Sequence, residues 1–223
     1  MALWTVRDLP FDLGSAHYTD TPLYCLSSMN FLGHCLYSDA NPAALAGSLW
    51  PDFACRPSEE SCSVSFLQHF DQHQQIDHLT DNSSILEPLR QALRPVFRKT
   101  APLIVDMLLD HFLANHWVQF HIQPLPIFAQ QSYQHLHNFN ERVLPERMQR
   151  TLYWMSRQDW FVRYQSKEGI KDALVGMARR IRFANPIVEN RDTALGIYAD
   201  FQSDMTVFIE WLSKELGEQK RLR

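Results

Sequence analysis

The chain has 223 residues, of which 45% are hydrophobic and 21% charged, a balance that suits a soluble globular protein with one sizeable core. A net charge of -4 leaves no overall basic footprint for nucleic acid, and no run of 18 apolar residues marks a membrane span. Only seven glycines, few hairpin dipeptides and long apolar stretches at helical spacing predict an all-α chain. No GxGxxG, P-loop or GxSxG string occurs. Cys25, Cys35, Cys55 and Cys62 form no CxxC pair and no cleavable signal precedes them, so reduced thiols in a cytoplasmic protein are expected.

In chain order, residues 1–28 mix Trp, Pro and Gly without a sustained period and read as an irregular arm, followed by a helical domain over 29–216 and a basic tail over 217–223. MNFLGHCLYSD starts an apolar helix containing His34, whose plainest reading is a core histidine. Asn41-Pro42 opens a second helical piece that ends near Asp52, a residue equally suited to a turn. CRPSEESC is a polar loop. Ser84 and Glu87 have capping-box spacing, predicting a helix from about Ile85 to Lys99 whose exposed face carries Arg90, Arg94, Arg98 and Lys99. A connection around Pro124 and Pro126 leads to a helix through Tyr133 and His137. Arg147 to Gln165 reads as one helix with Trp154 and Trp160 in the core. Lys167 to Phe183 carries the basic residues Arg179, Arg180 and Arg182. A last amphipathic helix runs from about Asp192 to Leu216.

Two stretches carry titratable groups at informative spacing. From Val64, His69, His73, Asp77 and Asp81 recur at steps of four, so a helix stacks them into one stripe. An imidazole and a carboxylate one turn apart can hold a single cation, although a solvated face with intrahelical pairing is the plainer reading. Ala101 to Trp117 (APLIVDMLLDHFLANHW) is apolar on almost every face and passes through the core, yet it contains Asp106 and Asp110. At i and i+4 the two carboxylates share one face, roughly 5–6 Å apart at Cβ. A buried pair of anions needs a metal or a basic partner; a structural polar network is the alternative.

Taken together, MNFLGH at 29–34, GSLWPDF at 47–53, HQQID and TD within 73–81, VDMLLDHFLANHW at 105–117, and DWFVRY with GMARR within 159–180 resemble the acyl carrier protein phosphodiesterase family. The resemblance implies a cytoplasmic, all-helical enzyme similar to the HD phosphohydrolases, dependent on a divalent metal, usually Mn2+. It implies hydrolysis of the phosphodiester that joins phosphopantetheine to a serine of holo-acyl carrier protein, a reaction of lipid metabolism. The matching positions imply His34, Asp52, His73, Asp77, Asp106 and Asp110 as metal ligands, with Asp81 and His111 as catalytic groups; His111 lies about 100° around the helix from Asp110. The family's HRxID pattern has an arginine after the histidine, where this chain has Gln74 and Gln75, so the chain is expected either to be a slower phosphodiesterase than an arginine-bearing relative or to recruit another cation such as Arg56. The acidic carrier is expected to dock on Arg90, Arg94 and Arg98, extended by Arg179 and Arg180. An HD-like hydrolase of another phosphoester, such as a nucleotide, and a non-catalytic carrier-binding protein are the competing readings.

Overall fold

A computed structural model describes residues 31–217. The expected N-terminal arm, Cys25, Met29, Asn30 and residues 218–223 of the tail lie outside the described residues. Among those described there are eleven α-helices and no strand, as the composition predicts. Helix α1 is Phe31–Leu36 and α2 is Pro42–Leu49, which runs directly into a 3-10 turn at Trp50–Asp52. Helix α3, Val64–Asn82, is the longest; α4 spans Glu87–Phe97 and α5 Ala101–Asn115. Then follow α6, Leu125–His137; α7, Glu146–Arg157; α8, Trp160–Arg163; α9, Lys167–Ala178; α10, Ile187–Asp200; and α11, Gln202–Glu215. Among the described residues no helix is long and apolar enough to cross a membrane.

Helix α5 is the axis. Every residue from Ile104 to Ala114 is buried, including Asp106, Asp110 and His111, so its apolar all-round composition translates into a central position. Helices α1, α4, α9, α10 and α11 pack around it.

Helices α2 and α3 cross closely, and Gly47 is why they can. A Cβ at position 47 would stand 2.2 Å from the Phe66 carbonyl oxygen, well inside contact distance. The small face of Ala43, Ala44 and Ala46, all buried, completes the seam. Local signals start both helices: Asn41 accepts from the Ala44 N–H at 2.9 Å and Ser63 from the Phe66 N–H at 3.2 Å, satisfying donors that a helix N-terminus leaves open.

Several predicted elements are divided or shifted. Helix α4 has no side-chain cap and begins at Glu87; Glu87 bonds Arg90 and Arg94 instead of serving a capping box. It ends at Phe97 because Arg98 takes φ 51°, a left-handed conformation that terminates regular helix. The expected helix over 147–165 is likewise broken at Asp159, φ 48°. There the Tyr133 hydroxyl donates to Asp159 at 3.2 Å and accepts from the Phe161 N–H at 3.0 Å. Trp154, expected in the core, is 47% exposed, and Trp160 is half-buried at the start of α8. The last predicted helix begins earlier and divides at Phe201. Cys35, Cys55 and Cys62 are free thiols.

A candidate metal centre between four elements

The stripe predicted on α3 divides by role. His69 is buried, with Nδ1 on the Ser65 carbonyl at 2.8 Å and Nε2 accepting from the Asp39 N–H at 3.1 Å. Both ring nitrogens are therefore spent on backbone, fixing the α1–α2 connection to α3. One turn on, His73 turns inward. Its Nδ1 meets the Ser48 carbonyl at 2.6 Å, an arrangement that places the proton on Nδ1 and aims the lone pair of Nε2 at the site. The close α2–α3 crossing supplies that carbonyl.

His34 on α1 stacks against His73, with ring centroids 3.8 Å apart and 13° between planes. Asp77 spans the pair: Oδ1 is 3.2 Å from His34 Nε2 and Oδ2 is 3.1 Å from His73 Nε2. One ligand atom from each of His34, His73 and Asp77 lies within 4.8 Å of the others. Asp52, on the turn after α2, brings Oδ1 to 3.9 Å from His73 Nε2. Asp106 descends from α5 into the field of Asp77, Asp81, Asp110 and Asp52.

The electrostatics set neutral imidazole beside ionised and protonated carboxyl groups. Burial, the repulsion of His73 and only partial relief from Asp77 lower the His34 pKa to about 4, which leaves a neutral imidazole at physiological pH. His73 moves upward: burial opposes its charge, but Asp52, Asp77 and the Ser48 carbonyl outweigh burial. Burial opposes ionisation of Asp77 as well, yet hydrogen bonds to both histidines hold its carboxyl below the usual range. Asp52 and Asp106 are pushed well above it, first by burial and then by Asp77. Buried carboxylates that repel one another beside two imidazoles fit a divalent ion, which such mixed nitrogen and oxygen donors would hold.

Other expected site residues lie elsewhere. Asp110 is fully buried with Oδ2 accepting from the Leu32 N–H at 3.1 Å and Oδ1 from the Gly33 N–H at 2.9 Å. It caps the first turn of α1, the helix that carries His34, and is not part of the His34–His73–Asp77 cluster. Burial raises its pKa to about 8 against the pull of those two donors. His111 bonds the Tyr164 carbonyl through Nδ1, meets the Tyr198 ring at 4.8 Å with planes tilted by 56°, and takes a contact from Asn115; its partners are the residue after α8, α10 and its own helix. Asp81 is exposed one turn beyond Asp77.

The expected basic row is also corrected. Arg90 is buried and donates to the Thr80 carbonyl at 3.0 Å, the Ser83 carbonyl and Glu87, closing the C-terminal end of α3 instead of facing solvent. Arg94, Arg98, Arg179 and Arg180 are exposed. Arg56 donates to both oxygens of Asp71 at 2.9 Å, so this fork is already occupied on α3. Gln74 and Gln75 are exposed.

With this geometry in place, the comparison with known proteins is decisive. Residues 29–212 match the acyl carrier protein phosphodiesterase family. The chain belongs to that family. It is 33% identical over 160 residues, 68% of this chain and 79% of the relative, to the acyl carrier protein phosphodiesterase of Escherichia coli strain CFT073. With the corresponding protein of strain SMS-3-5 it shares 32% identity over 201 residues, covering 86% of this chain and 98% of the relative. No solved structure matches significantly, so the expected likeness to HD phosphohydrolases has no support from fold comparison. The family match covers every residue of the centre described above. Arg147 lies 5.6 Å from the centroid of Phe53, the residue after Asp52, a contact between positions roughly a hundred apart that spacing cannot reveal.

Proposed function

We propose that this protein is a cytoplasmic phosphodiesterase that removes phosphopantetheine from holo-acyl carrier protein, using a divalent ion held by His34, His73 and Asp77 with Asp52 and Asp106. The single observation that carries the reading is the convergence of two stacked imidazoles on Asp77, in a chain belonging to this family. When bound, the ion polarises a phosphoryl oxygen and acidifies water. Ser48 and Asp77 hold the imidazoles in register, and Asp106, buried on α5, lies within the field of Asp77. Water adds to phosphorus and the bond to the serine oxygen breaks, giving free phosphopantetheine and the serine hydroxyl. Asp81, one turn beyond Asp77, with its carboxyl held above the ordinary carboxylate range by partial burial and by the Asp77 charge, delivers the proton that the departing serine oxygen takes up. Arg94, Arg98 and Arg179 remain the surface cations for docking the acidic carrier.

Incubation with holo-acyl carrier protein and Mn2+, followed by intact-mass analysis, is expected to show the carrier lighter by its phosphopantetheine group. An unchanged carrier mass with metal bound would remove the reading.

Metal binding is also expected to depend on pH in a defined direction. The His73 pKa is raised above 6.5, so its proton must leave when Nε2 becomes a ligand, whereas His34 is already neutral above about pH 5. Mn2+ affinity should therefore rise by at least about tenfold per pH unit through pH 6.5, with Asp52 and Asp106 adding to the slope wherever they still hold protons, and flatten only above the raised His73 pKa. Calorimetric titration at several pH values measures the slope. A flat profile would exclude His73 as a ligand that exchanges one proton.

A further inference from the structure

An aromatic row leads away from the metal centre. Phe53 directly follows Asp52, and Phe31 lies one helical turn before His34. The Phe31 ring stacks on Phe53 at 6.0 Å and 18° and on Trp160 at 6.5 Å and 14°. Each outer ring carries a guanidinium: Arg147 from the first turn of α7 lies 5.6 Å from the Phe53 centroid, and Arg180, just after α9, lies 5.8 Å from that of Trp160. Residues from α1, α7, α8 and the end of α9 thus meet at one edge of the site, where both arginines are exposed while Phe31 is buried.

The two cations feel each other. Arg180 is exposed as a whole residue, yet partial burial of its guanidinium and the Arg147 charge hold down its pKa against the pull of Tyr164, and Arg147 also lies in the field of Asp52. Two guanidiniums held at one edge of the site by aromatic faces offer an anion fixed forks of donors. The metal centre creates the need for such cations. Three carboxylates, Asp52, Asp77 and Asp106, against one divalent ion leave a net negative charge that would repel an anionic phosphodiester. Stacking on an aromatic face also fixes the plane of a guanidinium, so less freedom is lost when its fork receives two oxygens.

We propose that Arg147 and Arg180, seated on the outer rings of the Phe53–Phe31–Trp160 row, form the anion clamp that receives the phosphoryl oxygens of the substrate beside the metal centre. Naming that anion as the phosphopantetheine phosphodiester rests on the function proposed above; the clamp itself is a property of these residues. Arg147 thereby takes the place expected of Arg56, whose fork Asp71 occupies.

The test separates the two readings. Inorganic phosphate is titrated calorimetrically into metal-free protein, wild type against Arg147→Gln and Arg180→Gln, with Mn2+ titrated separately into each. The expected result is phosphate affinity lower by about tenfold in either variant, with Mn2+ affinity within about twofold of wild type, and KM for holo-acyl carrier protein raised by about tenfold or more. If wild type binds phosphate in this arginine-dependent way but releases no phosphopantetheine, the clamp stands and the substrate assignment falls. Phosphate affinity that is the same in the variants, or no phosphate binding by wild type, overturns the clamp. Should a glutamine variant lose its helical circular dichroism, Arg147→Lys and Arg180→Lys keep charge and stem but lose the fork. Intermediate phosphate affinity in these supports the clamp, and wild-type affinity overturns it.

Discussion

Asp77→Asn is expected to lower Mn2+ affinity by about a hundredfold or more and turnover by about a thousandfold, with the helical circular dichroism unchanged. The carboxylate sits between His34 and His73 with one oxygen toward each Nε2, so both imidazoles depend on it for orientation and for compensating charge. An asparagine keeps the size of the side chain. Its carbonyl oxygen can accept from one ring while its amide group donates to the other, which spares the fold an unpaired buried group. What asparagine lacks is the negative charge, and a divalent ion among donors that are otherwise costly to ionise needs that charge most. Titrating Mn2+ into the metal-free variant, alongside a measurement of phosphopantetheine release, reads both losses. Wild-type affinity in Asp77→Asn would exclude this carboxylate from the metal centre.

The parts of the site that were legible in the sequence are those whose geometry is local. A four-residue step on a helix guarantees a shared face, so His73 and Asp77 could be paired from spacing alone, and an apolar helix through the core was bound to bury Asp106 and Asp110. Spacing says nothing of what lies opposite. His69 occupies the same stripe as His73, yet its neighbours across the helix are the Ser65 carbonyl and the Asp39 N–H. Asp110 shares a face with Asp106 but meets the first turn of α1. Asp52 and His34 entered the site only through the family resemblance, because each comes from a different element and no periodicity links them to α3. Arg90 had the spacing of a surface cation, but the open carbonyls at the end of α3 drew it inward. Helix length was misread where Arg98 and Asp159 adopt positive φ, since neither residue type announces such a break as glycine does.

Asp110→Ala is expected to destabilise the protein by about 2–6 kcal/mol, the cost of leaving two buried backbone donors without acceptors at about 1–3 kcal/mol each. Those donors, the N–H groups of Leu32 and Gly33, belong to the first turn of α1, where no carbonyl of the same helix can serve them. The effect should also reach function by a traceable route. His34 lies in the same short helix, and its ring must stay stacked on His73 to present Nε2 to Asp77. Fraying of α1 would widen that stack, so Mn2+ affinity should fall in the variant, but by less than in Asp77→Asn. Asp110→Asn tests the acceptor requirement separately. Its amide oxygen can serve one N–H, while its amide group would face the other donor without a bond, so a loss intermediate between wild type and alanine is expected. Urea unfolding gives the stability and calorimetry the metal affinity. An Asp110→Ala protein as stable as wild type that nevertheless binds no Mn2+ would show that this carboxylate serves as a metal ligand and that its cap on α1 is dispensable.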